Sequence, residues 1–485
     1  MTTAATHQLY IDGAWVAPQA GGSLPTSNPA TEEVIGHIAR GQAADVDRAV
    51  DAARRALNEG DWPALTPAQR AGLLYRLADL VEAHAEELAD IETRDNGMPR
   101  AMARFASVGG TIQVLRYNAG WATKLTGETS QPSQPGEWLA YTAREPVGVA
   151  GLIVPWNVPL VMAASKVSAA VAAGCTVVLK PAELTSLSAI RFVELVHEAG
   201  FPPGVINLVT GTGTEAGQAL VDHPGLDKIS FTGSTAVGKS IIRASSGNLK
   251  RVTLELGGKS PSFIFEDADL AAAGAAAAQS IFLNSGQICA AASRLYVQAS
   301  VFDAVVEAIV ERAQAMRVGD GMAADTQMGP LISAGQLDRV AGFVREAVAD
   351  GAEVLTGGSP LAGPGHFMPP TVLVGTTHDM TAVREEIFGP VLCVMPFADD
   401  AELDELARVG NDSNYGLSAT IWTRDISRAH RLARRLQAGT VRINTSTGMD
   451  NNMPYGGYKQ SGWGRENGRA GVEAFTEIKS VFVGL

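Results

Sequence analysis

Cysteine is scarce: the chain has three in 485 residues. That excludes a disulfide framework and fits a reducing cytosol, where a thiol stays free for chemistry. No two of the three are closely spaced, so no zinc site or other metal is expected. Uninterrupted apolar runs are missing too. The most apolar stretch, Val147 to Leu179, is broken by Pro155, Asn157, Pro159, Ser165 and Lys166, against a membrane span. Met1 to Tyr10 lacks the basic stretch and apolar core of a secretory signal. Positive charge is in deficit: the formal net charge is −13, against nucleic acid or anionic membranes as main partners. A soluble cytoplasmic protein is the expectation.

What is present is length and alternation. The chain is too long for one ordinary core, so two or three domains are expected. The first forty residues read as short strands and turns, with a hairpin around Asp12-Gly13. Helical spacing follows over Ala43 to Asn58, Pro67 to about Asp95 (stopped by Asn96-Gly97), and Arg100 to Lys124. From Val147 the pattern changes to short apolar strands between helices. Val147–Val154, Thr176–Leu179, Val205–Val209 and Lys228–Phe231 are the strands; Leu160–Ala173, Ser186–Ala199, Glu215–Val221 and Ala236–Ala244 are the helices. This predicts a parallel, doubly wound sheet. A second alternating series runs from Ala268 to Asn444. The break between these α/β halves lies near Leu256-Gly257-Gly258, and Lys479–Val483 ends the chain as a strand. There are no repeats and no low-complexity linker.

Cys175 and Cys393 sit beside or within apolar strands and read as small buried hydrophobes. Cys289 differs, because it follows the polar turn Asn284-Ser-Gly286-Gln-Ile. Gly286 would let the backbone bend there and bring a ligand close. Taken alone, both a packing role and a reactive one fit Cys289, since reactivity needs an exposed thiolate. Glu255 lies on an apolar strand before Gly257-Gly258. It reads either as a salt-bridged strand end or as a general base with a raised pKa. Asn157, held between Pro155 and Pro159 after a strand, is either turn chemistry or an amide donor to an oxyanion. Two glycine motifs compete for a dinucleotide. Gly211-Thr-Gly213-Thr-Glu-Ala216 fits G-x-G-x-x-A. Phe231-Thr-Gly233-Ser-Thr-Ala-Val-Gly238 joins a strand to a helix N-terminus that suits a pyrophosphate. Local physics leaves this contest open.

Seven segments then occur in a familiar order: Pro155-Trp-Asn-Val-Pro159, Leu179-Lys-Pro-Ala-Glu183, Phe231-Thr-Gly-Ser234, Leu254-Glu-Leu-Gly-Gly-Lys-Ser-Pro261, Gly286-Gln-Ile-Cys289, Arg384-Glu-Glu-Ile-Phe-Gly-Pro390 and Pro454-Tyr-Gly-Gly-Tyr-Lys-Gln-Ser-Gly462. Over nearly all its length the chain resembles the aldehyde dehydrogenase superfamily. The resemblance implies an NAD(P)-dependent enzyme with two doubly wound Rossmann-like domains, for cofactor and catalysis, plus a small β oligomerisation arm. It assigns 1–124 and 146–256 to NAD binding, 257–460 to catalysis, and 125–145 with 471–485 to strands that pair subunits into a homodimer or homotetramer.

The same resemblance implies roles. Cys289 attacks the aldehyde, giving a thiohemiacetal and then a thioester. Asn157 and the Cys289 amide hold the oxyanion, and Glu255 activates the hydrolytic water. Lys166 and Glu466 match a proton relay. Lys180 and Glu183 meet the adenosine ribose, and Glu183 favours NAD, with NADP possible. Gly233 and Ser234 lie at the pyrophosphate, Gly213 and Gly217 nearer the adenine, Glu386 and Phe388 at the nicotinamide ribose and ring. Ile153, Val154, Pro155, Trp156, Ala182, Phe231, Thr232, Val237 and Leu256 complete the cofactor set.

Relatives that pass the acyl group to coenzyme A usually lack the glutamate at position 255, so hydrolysis to a free acid is expected. Ile288 and Ala290 flank Cys289 without cationic or hydroxylic groups, which favours a neutral substrate. Val158, Val161 and Ser165 stand where many relatives carry larger side chains. With Leu283, Ile288, Thr447, Met449 and Tyr455 they suggest a wide tunnel for a bulky aromatic, cyclic or terpenoid aldehyde. Alternatives are a semialdehyde or short-chain aldehyde, an acyl-CoA-forming or esterase activity, and a catalytically silent structural homologue. Arg442 departs from the bulky apolar residue common at its position, and nothing in the sequence accounts for it.

Overall fold

The computed structural model describes residues 5–446 and 450–485. Two large sheets organise it. The first has eight strands, five of them parallel. Across the sheet these five are Arg251–Glu255, Lys228–Thr232, Val149–Ile153, Thr176–Lys180 and Ile206–Leu208. In chain order that is fifth, fourth, first, second and third. This is the doubly wound arrangement, and its direction reverses between the first and fourth strands. One edge is closed by the hairpin Leu9–Ile11 and Ala14–Val16, which turns at Asp12-Gly13 as expected. Positive φ at both turn residues gives the twist that two-residue hairpins need.

The strands are apolar on both faces because both faces are covered. Ala150, Leu152, Val177 and Leu179 face one core, shared with the small-residue helix Pro159–Ala173. Val149, Ile153 and Val178 alternate into another, shared with Ala43–Asn58.

The second sheet has seven strands. Their order is Glu353–Thr356, Thr371–Val374, Val391–Phe397, Arg294–Gln298, Pro261–Ile264, Ser418–Trp422 and Thr440–Ile443. Every neighbouring pair is parallel except the first. Pro261–Ile264, the earliest in the chain, again marks the reversal. Only residues 256–260 separate it from Glu255 at the end of the first sheet. A later return carries no signal in the sequence pattern: Gly462–Trp463 pairs antiparallel with Leu254 and Glu255, adding the last strand to the first sheet.

The strands expected to pair subunits pair with each other within the chain, from Thr476 opposite Pro146 to Gly484 opposite Trp138. Thr129–Ser130 lies beside them. Trp138, Leu139, Tyr141, Ile478, Phe482 and Val483 are exposed there.

Three helices differ from the sequence pattern. Pro67 to Asn96 breaks at His84, whose ψ of 21° leaves the helical range, giving Pro67–Ala83 and Ala85–Asn96. The helix from Arg100 widens to i→i+5 turns over Ala103–Val108 and stops at Trp121. Gly213–Gly217 is another wide turn, ahead of Gln218–Asp222. Apolar periodicity does not register such turns. Among the described residues no helix is long and apolar enough to cross a membrane. No group of three or more metal-binding side chains occurs among them either.

Candidate active site

The parallel strands of the first sheet end in one row. Ile153 pairs with Lys180 on one side and Phe231 on the other; Thr232 pairs with Glu255. The loops leaving this row are Val154–Val158, Pro181–Ser186, Gly233–Ser234 and Leu256–Gly258. Such carboxyl ends, at a reversal of strand order, are where doubly wound sheets bind ligands.

Asn157 is buried in the first of these loops. Hydrogen bonds with other segments hold it there. Asn96, at the end of its helix, donates Nδ2 to the carbonyls of Trp156 at 2.7 Å and Asn157 at 3.3 Å. Asn284 donates to the Asn157 carbonyl at 2.9 Å. The Asn157 amide itself donates to the Gln287 carbonyl at 2.7 Å. A side-chain amide carries two N–H groups, so one stays free for a ligand oxygen.

That bond ties Asn157 to the turn carrying Cys289. Asn284 and Ser285 both hold left-handed backbone, with φ of 49° and 56°. Such conformations cost about 1–3 kcal/mol each and persist only where the surroundings enforce them. Here Ser285 Oγ donates to the Gly329 carbonyl at 2.7 Å, and Gln287 Oε1 accepts from the Ile332 amide at 2.9 Å. Gly286 also has positive φ, and a Cβ there would overlap the Gly389 carbonyl. The group that crowds the Cβ side of Gly286 is therefore the Gly389 backbone.

Cys289 is half-buried, and its Sγ lies 3.4 Å from Tyr455 Oη. Burial pushes its thiol up to about 11. The Tyr455 hydrogen bond and the Ala290 amide oppose the shift, while the charges of Glu386 and Glu255 add to it. Cys175 and Cys393 are fully buried and donate to the Phe475 and Ala382 carbonyls, a packing role.

Glu255 ends its strand only 3% exposed, and neither carboxylate oxygen has a hydrogen-bond partner. Burial, then the charge of Glu466, raises its pKa well above the usual value, against Lys166 and Arg465. Close by is a triad. Lys166 Nζ donates to Ser230 Oγ at 2.8 Å and pairs with the Glu466 carboxylate, while Ser230 Oγ donates to Glu466 Oε1 at 3.0 Å. The structure thus brings Lys166 and Glu466 together. It adds Ser230, which sequence reasoning missed because a strand serine carries no signal.

The expected cofactor residues fall into three groups. At one end Lys180 Nζ meets Glu183 Oε2 at 3.2 Å, and the Gly213 amide donates to Glu183 Oε1 at 3.4 Å. Gly217 faces the Lys180 side chain, and Ala182 accepts from Ser186 Oγ. Burial acts to raise Glu183, but the Lys180 charge and these hydrogen bonds outweigh it, and its pKa falls. At the middle, the Gly233 amide donates to the Glu255 carbonyl, and Ser234 Oγ caps Thr235–Ser245 by accepting from Val237 N at 3.4 Å. Leu256 N donates to the Ser461 carbonyl. At the far end Glu386 Oε1 accepts from Gly258 N at 2.9 Å, and burial raises its carboxyl to about 7. A Cβ on Gly257 would overlap that carboxylate, so the Gly-Gly step is a packing requirement. Phe388 has φ of 58°, is held by Gln336 Nε2 on its carbonyl at 2.8 Å, and sets its ring perpendicular to Trp156, 5.2 Å away.

The expected tunnel residues do not all converge. Tyr455 touches Cys289 directly. Ile288 is half-buried beside it, and Leu283 is exposed. Val158 packs against the main core. Val161 faces Gly110. Ser165 Oγ donates to Asn467 at 3.3 Å, in a cleft it shares with Lys166 and Glu466. Thr447 and Met449 lie outside the described residues. Arg442, unexplained by sequence, is 8% exposed, and its charge acts on both Tyr455 and Cys289. The residues flanking Cys289 are uncharged, and the cation within electrostatic reach of its sulfur comes from 153 positions away in sequence.

A model of the family described as "Aldehyde dehydrogenase family" matches residues 15–481. An aldehyde dehydrogenase from Bacillus cereus, solved as its NAD+ complex, superposes with a TM-score of 0.97 at 47% identity, covering 99% of this chain and 97% of that one. Phenylacetaldehyde dehydrogenase of Pseudomonas fluorescens is 44% identical over 483 residues, 98% of this chain and 96% of the relative. Betaine aldehyde dehydrogenase of Staphylococcus aureus, in complex with NAD+, gives a TM-score of 0.96 at 38% identity, covering 99% and 95%.

Proposed function

Since the chain belongs to the aldehyde dehydrogenase family, we propose that Cys289, Glu255 and Asn157 carry out its NAD+-dependent oxidation of an aldehyde to the free acid. One observation carries this reading. A thiol stands within electrostatic reach of a buried carboxylate that has no hydrogen-bond partner. A carboxylate in that state suits a base acting on a transient water, not a structural ion pair.

The residues fit the cofactor. Glu183 offers a carboxylate to ribose hydroxyls, the backbone at Gly233 and Ser234 opens a helix N-terminus to a pyrophosphate, and Glu386 with Phe388 frames the far end. When bound, NAD+ accepts hydride from the substrate carbon. The protein's own steps are these. Cys289 Sγ, after losing its proton to solvent, forms a C–S bond to the carbonyl carbon. The free N–H of Asn157 and the Cys289 amide would stabilise the resulting oxyanion. Loss of hydride leaves a thioester. Glu255 takes a proton from water as its oxygen adds to the acyl carbon, and the C–S bond breaks to free the acid and the thiolate. Lys166, Ser230 and Glu466 offer a route for that proton away from Glu255.

For substrate we favour a bulky neutral aldehyde. Ile288 and Leu283 are apolar, and a relative at 44% identity is named for phenylacetaldehyde. The exposed faces of Trp138–Pro146 and Thr476–Gly484 suit assembly into a dimer or tetramer. The test is NADH production from benzaldehyde-type, long-chain, two-carbon and carboxylated aldehydes, with and without coenzyme A. Aromatic preference without coenzyme A dependence is expected. A clear preference for acetaldehyde or a carboxylated aldehyde overturns the substrate reading, and dependence on coenzyme A overturns hydrolysis.

A further inference from the structure

Arg442 is an expensive residue. It lies on Thr440–Ile443 in the second sheet, 8% exposed. Its hydrogen bond is to a neutral group, Ser418 Oγ at 2.5 Å, and its Nε has no partner. Among the described residues it forms no ion pair, although 23 pairs occur elsewhere. A buried cation without a counter-charge is strongly disfavoured unless something nearby becomes anionic. Two groups within electrostatic reach of Arg442 would offset its charge on ionising, namely Tyr455 and Cys289. These two are joined to each other, Oη to Sγ at 3.4 Å. Of the two, the thiol is the group that the reaction requires as an anion.

The direction of the hydrogen bond follows from the same chemistry. With both groups neutral, either can donate. Once Cys289 loses its proton, only the Tyr455 O–H can. Tyr455 keeps that proton, because burial and the sulfur both push its hydroxyl well above the usual 10. It is therefore a donor and not the base.

We propose that the Tyr455 hydroxyl, held in the field of the buried Arg442 guanidinium, is the hydrogen-bond donor that stabilises the ionised Cys289 sulfur. Tyr455 touches the reacting atom and is catalytic; Arg442 acts on the sulfur at a distance and is a positioning residue. The other groups acting on Cys289 are the Ala290 amide, which assists, and Glu386 and Glu255, which oppose ionisation. Tyr455 and Arg442 thus offset two carboxylates that the rest of the reaction needs. The inference rests on Cys289 being the nucleophile.

The experiment is an ultraviolet thiolate titration of the full-length protein, read as the difference from Cys289→Ser, with site-resolved iodoacetamide alkylation. Tyr455→Phe keeps the ring and removes the donor. It is expected to raise the thiol midpoint by about one unit, a tenfold loss of thiolate at a given pH. Because a more basic thiolate is also more nucleophilic, the alkylation rate falls only about threefold. Arg442→Met moves the midpoint the same way, Arg442→Lys restores it, and the double variant moves less than the sum. An unchanged midpoint in Tyr455→Phe overturns the inference. So does an Arg442→Met variant altered only in KM for carboxylated aldehydes, which makes Arg442 a substrate-binding group. Should Cys289→Ser keep full dehydrogenase activity, the assignment of the nucleophile itself fails, and that result is distinct from both.

Discussion

Tyr455 and Glu466 are backbone partners: the amide of each donates to the carbonyl of the other at 2.7 Å. One side chain reaches Cys289 and the other reaches Lys166. A single bridge thus couples the group at Cys289 to the group at Lys166. Glu466→Gln is expected to leave the first NADH burst intact and to slow steady turnover about a hundredfold, the low end for proton-transfer roles. Rapid-mixing kinetics separate the two phases, and a diminished burst would place Glu466 in the first half-reaction.

Glu255→Gln should form NADH once per site and then stall, with turnover down by about 10²–10⁴, the usual worth of a general base. Intact mass spectrometry should find the acyl group on Cys289. Normal steady turnover would remove Glu255 from the hydrolytic step.

Burial raises the Cys289 thiol from 9.0 to about 11. At neutral pH the protein without cofactor holds it protonated, and the thiolate fraction grows tenfold per unit as pH rises toward that value. Alkylation of Cys289 should therefore climb about tenfold per pH unit between about pH 7 and 10. A plateau below pH 8 would mean that the sulfur is ionised already.

Asn96 has no expected contact with substrate, yet its side chain holds two carbonyls of the Asn157 loop. Asn96→Ala is expected to lower kcat with little change in KM for cofactor. It should cost stability by about 1–3 kcal/mol, because buried carbonyls lose their donor. Asn157→Ala should lower kcat by about 10²–10³, the worth of an oxyanion donor. Equal kcat in wild type and Asn157→Ala would exclude that role.

Glu183→Ser should narrow the preference for NAD over NADP, because the carboxylate that repels a 2′-phosphate is gone. The ratio of kcat/KM for the two cofactors measures this, and an unchanged ratio would assign discrimination elsewhere.

Local alternation made the sheets legible, since Val149–Ile153 or Thr176–Lys180 can hardly be anything but buried strands. Glu255 was legible as a costly carboxylate on an apolar strand. What stayed hidden were contacts between segments far apart in sequence. Asn96 read only as the end of a helix, with no hint that its side chain crosses to residue 157. Gly286 gives no sign in the sequence that its missing side chain makes room for Gly389. Gly462–Trp463 is too short for a period-two pattern, and Tyr455 read as tunnel lining because its partner Cys289 lies 166 positions away. Arg442 looks anomalous in a strand until Tyr455 and Cys289 are found within its electrostatic reach.

The return of Gly462–Trp463 to the edge of the first sheet has a consequence for biosynthesis. The parallel strands of both large sheets are complete by residue 444, and domains fold as units from the N-terminal end during synthesis. Yet Tyr455, Ser461 and Glu466 arrive only with the final stretch of chain, and it is they that reach Cys289, Leu256 and Lys166. A nascent chain stalled before this stretch would be largely folded and chemically idle, its thiol still without the Tyr455 contact.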